Sequence, residues 1–258
     1  MSERLEVDAY RVFSSFYDQW SAEMTEDVPF YVARALAAGG PVVELGAGQG
    51  RVAIPIAQAG RPVIAVEPSD AMRTEGERRA GTAGVADRIT WVKGVMQRFV
   101  AEPAVELVII PFRSFLHLLT TREQLAALGS IHASLVPGGR MICNFFTPDP
   151  AVIAAYDGVR RHQGEFVDDA GRRCEIWAIS RYAVADQGVR LEAGLDVYDG
   201  ERLVDTITSE MRARMVYRYE FEHLLARTGF EVEALYGGFD ERAYGPGPDE
   251  MVWVARRP

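Results

Sequence analysis

The stretch VVELGAGQG, residues 42–50, decides how the chain is read. A short apolar run carrying Glu44 passes into Gly46, Gly48 and Gly50, three glycines spaced two apart. Bare backbone there lets the chain turn tightly from strand to helix and lets a ligand lie against the main chain. The apolar, helix-compatible stretch from Arg51 to Ala59 follows and stops at Gly60. Its first amides therefore point back into the loop. A dinucleotide-binding fingerprint needs G-x-G-x-x-G after a strand. Here the third glycine comes one residue early, and Arg51 stands where that fingerprint wants glycine. Glu44 also sets an acid where a pyrophosphate would pass. The arrangement suits a ligand with an ammonium group and no phosphates.

The next strands extend the pattern. VIAVE (63–67) ends in Glu67, about 20 residues past the glycines, the spacing at which an acid reaches a ribose diol. Pro68, Ser69 and Asp70 then open a helix with a serine or aspartate cap. ITWVKG (89–94) reads as a third strand, and ELVIIPF (106–112) as a fourth, apolar enough to be buried on both faces. LVPGGRMICNFF (135–146) reads as a helix end, a Pro-Gly-Gly turn and a fifth strand. Strands alternating with helices describe an α/β doubly wound sheet with ligands at the strands' carboxyl ends.

Taken in order, E-x-G-x-G-x-G, VIAVEPS, the IPF strand end and L-x-P-G-G resemble the core of class I S-adenosylmethionine-dependent methyltransferases across about residues 40–146. The resemblance implies a seven-stranded Rossmann-like sheet. It also implies S-adenosylmethionine as cofactor and S-adenosylhomocysteine as product. It assigns the cofactor to Glu44, Gly46, Ala47, Gly48, Gly50, Glu67, Pro68 and Met72, then to Val95, Met96 and Gln97, and to Pro111 and Phe112. The chain departs from the family after the third strand. A Gly-Asp pair is common there, its aspartate reaching the adenine amino group, whereas this chain has Gly94-Val95. Adenine recognition then falls to main-chain groups near Met96 or to Gln97.

Composition bounds the function classes. With 258 residues, 48% of them apolar, the chain can bury one full core with an addition. A net charge of −9 supplies no basic field for nucleic-acid backbone. No apolar stretch approaches the ~20 residues of a membrane span, and the opening MSERLEVDAY is too polar for a signal peptide. The two cysteines, Cys143 and Cys174, form no C-x-x-C, which argues against a disulfide framework or a zinc site. The expectation is a cytoplasmic protein with no metal, no nucleic-acid partner and no membrane partner.

The organisation expected is an N-terminal helical segment (1–38), a core of 39–150 with 218–258, and an antiparallel β insert (151–217). In the first segment Tyr10, Phe13, Phe16, Tyr17 and Trp20 fall on one helical face, and Asp27 with Pro29 marks a helix start. That face either packs on the sheet or forms a lid; N-terminal segments of this kind in related methyltransferases cover the methionine end, which makes Tyr17 and Trp20 cofactor candidates. The runs CEIWAISRYAV (174–184), VRLEAGLDVY (189–198) and LVDTITSEMRARMVY (203–217) alternate and are separated by turns, as in a meander. An insert between the fifth strand and the last helix resembles small-molecule methyltransferases of the amino-sugar and glycine N-methyltransferase type. In them it covers the active site or makes a dimer contact, so monomer and homodimer both stay open.

The chemistry is expected on PFRSFLHLL (111–119), which leaves the fourth strand. Methyl transfer from a sulfonium is a displacement on an activated carbon, so positioning supplies most of it, up to about 7–11 kcal/mol. A base is needed only where the nucleophile begins protonated. His117 is the base candidate, matching an S-x-x-H-L segment (114–118) of amino-sugar N-methyltransferases that places its histidine by the acceptor; packing within the next helix is the alternative. Arg113 either holds a carboxylate or phosphate of the acceptor or makes a surface ion pair. With Arg212, Arg214 and other insert arginines it leaves room for an anionic small-molecule acceptor. The leading reading is an enzyme methylating a nitrogen or oxygen of a small molecule. A catalytically inactive cofactor-binding protein of the same fold is the alternative. Nucleic-acid amino-methyltransferases carry an Asn- or Asp-Pro-Pro-aromatic run where this chain has Ile110-Pro111-Phe112-Arg113.

Overall fold

The computed structural model describes residues 16–21, 24–247 and 250–258. Tyr10 and Phe13 of the aromatic face lie outside the described residues. The chain divides into two units: Glu26–Pro148 with Val216–Pro258, and Asp149–Met215 with the segment before Glu26. Helices and strands are numbered along the chain. The helices are α1 (Tyr17–Ser21), α2 (Asp27–Ala37), α3 (Ala53–Gln58), α4 (Asp70–Thr82), α5 (Thr121–Ser134), α6 (Pro150–Tyr156) and α7 (Arg218–Arg227). The strands of the larger unit are β1 (Val42–Leu45), β2 (Val63–Val66), β3 (Ile89–Val92), β4 (Val105–Ile110) and β5 (Leu135–Phe146), joined by β10 (Glu231–Tyr236) and β11 (Glu250–Arg256). Those of the smaller unit are β6 (Arg160–Val167), β7 (Arg173–Ala183), β8 (Gly188–Asp199) and β9 (Arg202–Arg214).

The larger unit is a seven-stranded sheet in the order β10-β11-β5-β4-β1-β2-β3. β1 to β5 pair in parallel, while β11 runs antiparallel to both β5 and β10. All four residues of β1 are buried, because helices cover the sheet on both sides. Strand alternation sends Val42, Leu107, Ile109 and Ile142 to one face, where they pack with Tyr31 and Ala35 of α2, Ile56 of α3 and Ala80 of α4. On the other face Phe221 of α7 meets Phe115, Phe145 and Trp253 edge-on, with ring centroids 4.7 to 5.3 Å apart. Helix starts are chemically marked. Ser69 accepts from the Met72 amide ahead of α4, and Thr120 with Glu123 closes a capping box on α5.

The Pro137-Gly138-Gly139 segment, expected as a turn ahead of the fifth strand, lies inside β5. Leu135 pairs with Val105 and Arg140 with Leu107, so residues 136–139 bulge against Glu106 alone. The helix expected from Arg51 to Ala59 is shorter, Ala53–Gln58.

The smaller unit holds a four-stranded antiparallel sheet in the order β6-β7-β8-β9. β6 was not read from sequence: RRHQGEFV carries little apolar signal, and no residue of it is fully buried. α6 was also missed, although Asp149 caps it by accepting from the Ala151 amide and Pro150 opens it. At the sheet's centre the Trp177 ring lies over Gly194, where a Cβ would sit 2.2 Å from the indole. The Arg160 guanidinium stacks 4.3 Å from the ring centroid, and Asp196 accepts from Trp177, Arg160 and Thr206. Among the described residues no helix is long and apolar enough to cross a membrane.

Two glycines of α4 should respond oppositely to the same change. At Gly76 an added Cβ would meet the Trp91 ring at 2.2 Å, whereas at Gly81 nothing lies within 4 Å. Gly81→Ala should therefore stabilise the protein by about 0.5–1 kcal/mol through helix propensity. Gly76→Ala should destabilise it by about 1–3 kcal/mol by overpacking. Denaturant melts of both variants check this; a stabilised Gly76→Ala would mean that Trp91 does not occupy that notch.

Candidate active site

The carboxyl ends of β1 to β4 bring most of the expected cofactor residues together within the larger unit. Glu44 has the same strand parity as Val42, so it faces α2 and the entry to α3. It is 2% exposed. Its carboxylate accepts from the Ala53 amide, while Oε2 has no hydrogen-bond partner. Burial pushes its pKa up to about 8, against the pull of the neighbouring Arg51 guanidinium; the nearby Asp27 and Glu67 carboxylates push further upward.

The glycine loop is open where a ligand would need it. Gly48 has φ +56 with nothing within 4 Å of the position a Cβ would take. Gly46 is the opposite case: at φ +74 its missing Cβ leaves room for Ser114, whose Cβ would lie 2.9 Å away, with Met96 Cε at 4.0 Å. The β1, β3 and β4 loops thus converge on Gly46. Glu67, nearly buried at the end of β2, accepts from the Gly48 amide through Oε2 and the Ser69 amide through Oε1, both at 2.8 Å. These two bonds oppose the larger upward shift that burial gives its carboxyl. Each oxygen keeps a second lone pair for a ligand hydroxyl. Met72 and Ala47 are buried beside this loop system, Pro68 is half-buried, and Val95, Met96 and Gln97 form a half-buried turn after β3.

The loop after β4 is strained and tied down. Phe112 and Arg113 both adopt left-handed conformations, with φ 56 and 64. Such residues cost on the order of 1–3 kcal/mol each and persist only when their surroundings hold them. The Arg51 guanidinium stacks 4.5 Å above the Phe112 ring. Arg113 donates two hydrogen bonds to Glu250 of β11, at 2.9 and 2.7 Å, and lies over the Phe146 ring. Glu250 also accepts from Asn144, whose side-chain oxygen accepts from Tyr31 of α2 at 3.0 Å. Of the two readings of Arg113, an ion pair is what the geometry shows. Pro111 accepts from both the amide and hydroxyl of Ser114, which starts a 3-10 turn, Ser114–His117. That turn ends with half-buried His117.

Tyr17 and Trp20 lie on α1 in the smaller unit, apart from this cluster in the chain's division. His132 packs edge-on to Phe230. Sequence reasoning missed Asp27 as more than a helix start. It receives both Arg51 nitrogens at 2.6 Å, and no local pattern announces a pairing across 24 positions. Asn144 and Glu250 were missed for the same reason.

Comparison with known proteins bears on this arrangement. Residues 42–139 match the family described as a methyltransferase domain. The CcbJ methyltransferase from Streptomyces caelestis has a similar structure, with TM-score 0.78 at 22% identity over 92% of this chain and 96% of that one. The SAM-bound amino pentose methyltransferase CalS10 from Micromonospora echinaspora gives 0.69 at 20% identity, covering 93% and 92%. The sugar N-methyltransferase KedS8 from a Streptoalloteichus species gives 0.73 at 19%, covering 95% and 93%. No curated protein sequence matches the chain closely enough to set beside them. The chain shares its overall fold with these solved methyltransferases, and residues 42–139 are similar to a methyltransferase domain.

The Glu44 carboxyl makes the free protein's stability depend on pH. In the unfolded chain it ionises near ~4.3, but in the fold it stays protonated up to about 8. Between those values the unfolded chain holds fewer protons, so rising pH favours unfolding, and the penalty is complete above the folded value. Glu44→Gln removes this titration. Relative to wild type the variant should gain stability from pH 4 to pH 8.5, by on the order of a few kcal/mol. Thermal melts across that range measure the difference; a pH-independent gap would mean that Glu44 ionises freely in the fold.

Proposed function

We propose that this protein is an S-adenosylmethionine-dependent methyltransferase acting on a nitrogen or oxygen of a small molecule, with an amino group the favoured acceptor. The observation that carries the reading is the unpartnered Oε2 of buried Glu44 beside the open Gly48 backbone and the buried Glu67 carboxyl. A buried acid without a partner calls for a cationic or donating ligand. An amino-acid ammonium for Glu44 and a ribose diol for Glu67 are the two ends of one nucleoside-amino acid cofactor. The comparison structures described as amino pentose and sugar N-methyltransferases support the amino acceptor.

The chemistry the cofactor supplies is a methyl carbon activated on a sulfonium sulfur. The rest falls to the chain. Gly46 to Gly50 and the turn at Val95–Gln97 position the nucleoside, and Glu67 fixes the ribose. Pro111 and Phe112 wall the place where acceptor and methyl carbon must meet in line. The carbon–sulfur bond that breaks is already activated by the sulfonium charge, so the chain itself would activate no bond beyond one to a proton, and rigidity of this wall is its main contribution. His117 is the proposed base. It takes the proton of an acceptor ammonium or hydroxyl and returns it to solvent. An anionic acceptor reaches Arg113 only by displacing Glu250 from its guanidinium, which makes Arg113 a loop anchor before it is a substrate ligand.

Two variants separate cofactor binding from transfer. Glu67→Ala should weaken binding of S-adenosylmethionine and S-adenosylhomocysteine by about 1.5–3 kcal/mol, the range for hydrogen bonds to a charged group. His117→Ala should leave that affinity intact and lower turnover by roughly 10²–10⁴-fold, the loss shrinking as pH rises and the acceptor sheds its own proton. Calorimetry and labelled-methyl transfer to small amines read the two effects. Heat with NAD but none with S-adenosylhomocysteine would overturn the proposal.

A further inference from the structure

Burial at the glycine-loop end of the site leaves an excess of acids. Glu44, Glu67 and Asp27 are 2, 6 and 5% exposed. The basic group among them is Arg51, whose side chain is 13% exposed. Arg51 faces Glu44 from the entry to α3, Asp27 faces it from the start of α2, and Glu67 from the end of β2. Arg51 cannot swing clear, because Phe112 lies under its guanidinium and Asp27 grips both terminal nitrogens. Alone, Arg51 would set a fixed positive charge beside the carboxyl left without a partner. Paired, it adds little net charge, and the sign of this end is left to Glu67 and to Glu44, whose buried carboxyl gives up its proton once an ammonium partners it.

We propose that Asp27 is a charge-specificity residue: by cancelling Arg51 it keeps an uncompensated positive charge out of this end of the site, and so sets how tightly S-adenosylmethionine is held relative to S-adenosylhomocysteine. The inference rests on the proposed identity of the cofactor. The two ligands share nucleoside, ammonium and carboxylate, and differ by a methyl group and one positive charge on sulfur. Contacts common to both cancel in the ratio of their affinities, so the ratio isolates the effect of charge. One unit charge, acting over a distance of order 10 Å at an effective dielectric of ~20, changes that ratio about tenfold.

Calorimetric titration of both ligands into wild type, Asp27→Asn, Arg51→Gln and the double variant tests this. Asp27→Asn should lower the preference for S-adenosylmethionine about tenfold, because the charge of Arg51 is then uncompensated. Arg51→Gln should raise it, and the double variant, electrically equivalent to the ion pair, should return it to within about threefold of wild type. Breaking one side of a buried pair is destabilising. Should Asp27→Asn fail to fold, the rise in Arg51→Gln and its reversal in the double variant carry the same sign test. Equal weakening of both ligands in Asp27→Asn, or a double variant that keeps the ratio of either single variant, would reduce the pair to a structural clamp and overturn the inference. Wild type binding neither ligand overturns the cofactor reading itself; binding of both with an unresponsive ratio overturns only the charge argument.

Discussion

The ion pair between Asp27 and Arg51 is the constraint on which the rest of the site depends. It joins the first turn of α2 to the end of the glycine loop, and the same guanidinium presses on Phe112 beyond β4. A buried pair of this kind seldom adds much net stability, since desolvation offsets its attraction. Its value here is placement. Three segments far apart in sequence are fixed around the carboxyl end of β1, where Glu44 is buried with one oxygen unsatisfied.

A second set of contacts braces the same loop from the other side. Arg113 reaches Glu250, Glu250 holds Asn144, and Asn144 takes the Tyr31 hydroxyl, which returns the chain of contacts to α2. Strands β5 and β11 and helix α2 are thereby tied to one short stretch of strained backbone. Two consecutive left-handed residues without glycine are poor local structure, and the sheet supplies what holds them. For the methyl transfer proposed above, a firmly braced wall supplies the positioning that an in-line displacement requires.

Legibility from sequence followed the range of the interaction. The strand-glycine-helix unit at 42–60, the acid ending β2 and the alternation of strands and helices are local patterns, and they placed the larger sheet. β5 was blurred because Pro137-Gly138-Gly139 looks like a turn, yet the strand runs through it as a bulge against Glu106. β6 escaped because an edge strand with a charged outer face shows no apolar alternation. The Asp27–Arg51 pair and the Tyr31–Asn144–Glu250 relay were invisible for a different reason. Asp27 reads locally as a helix start and Asn144 as part of a strand, and no local pattern names their partners until the fold brings them together.

The unsatisfied Glu44, the open Gly48 backbone and Glu67 together form the proposed seat of a single nucleoside-amino acid ligand. A crystal structure of the protein with S-adenosylmethionine tests it most directly. The expected result is the ligand lying along residues 46–50, both ribose hydroxyls on Glu67, and the ammonium end supplying a partner for Glu44 Oε2, directly or through one water. Ligand density elsewhere, or a Glu67 that keeps only the Gly48 and Ser69 amides while Glu44 Oε2 stays unpaired, would contradict it.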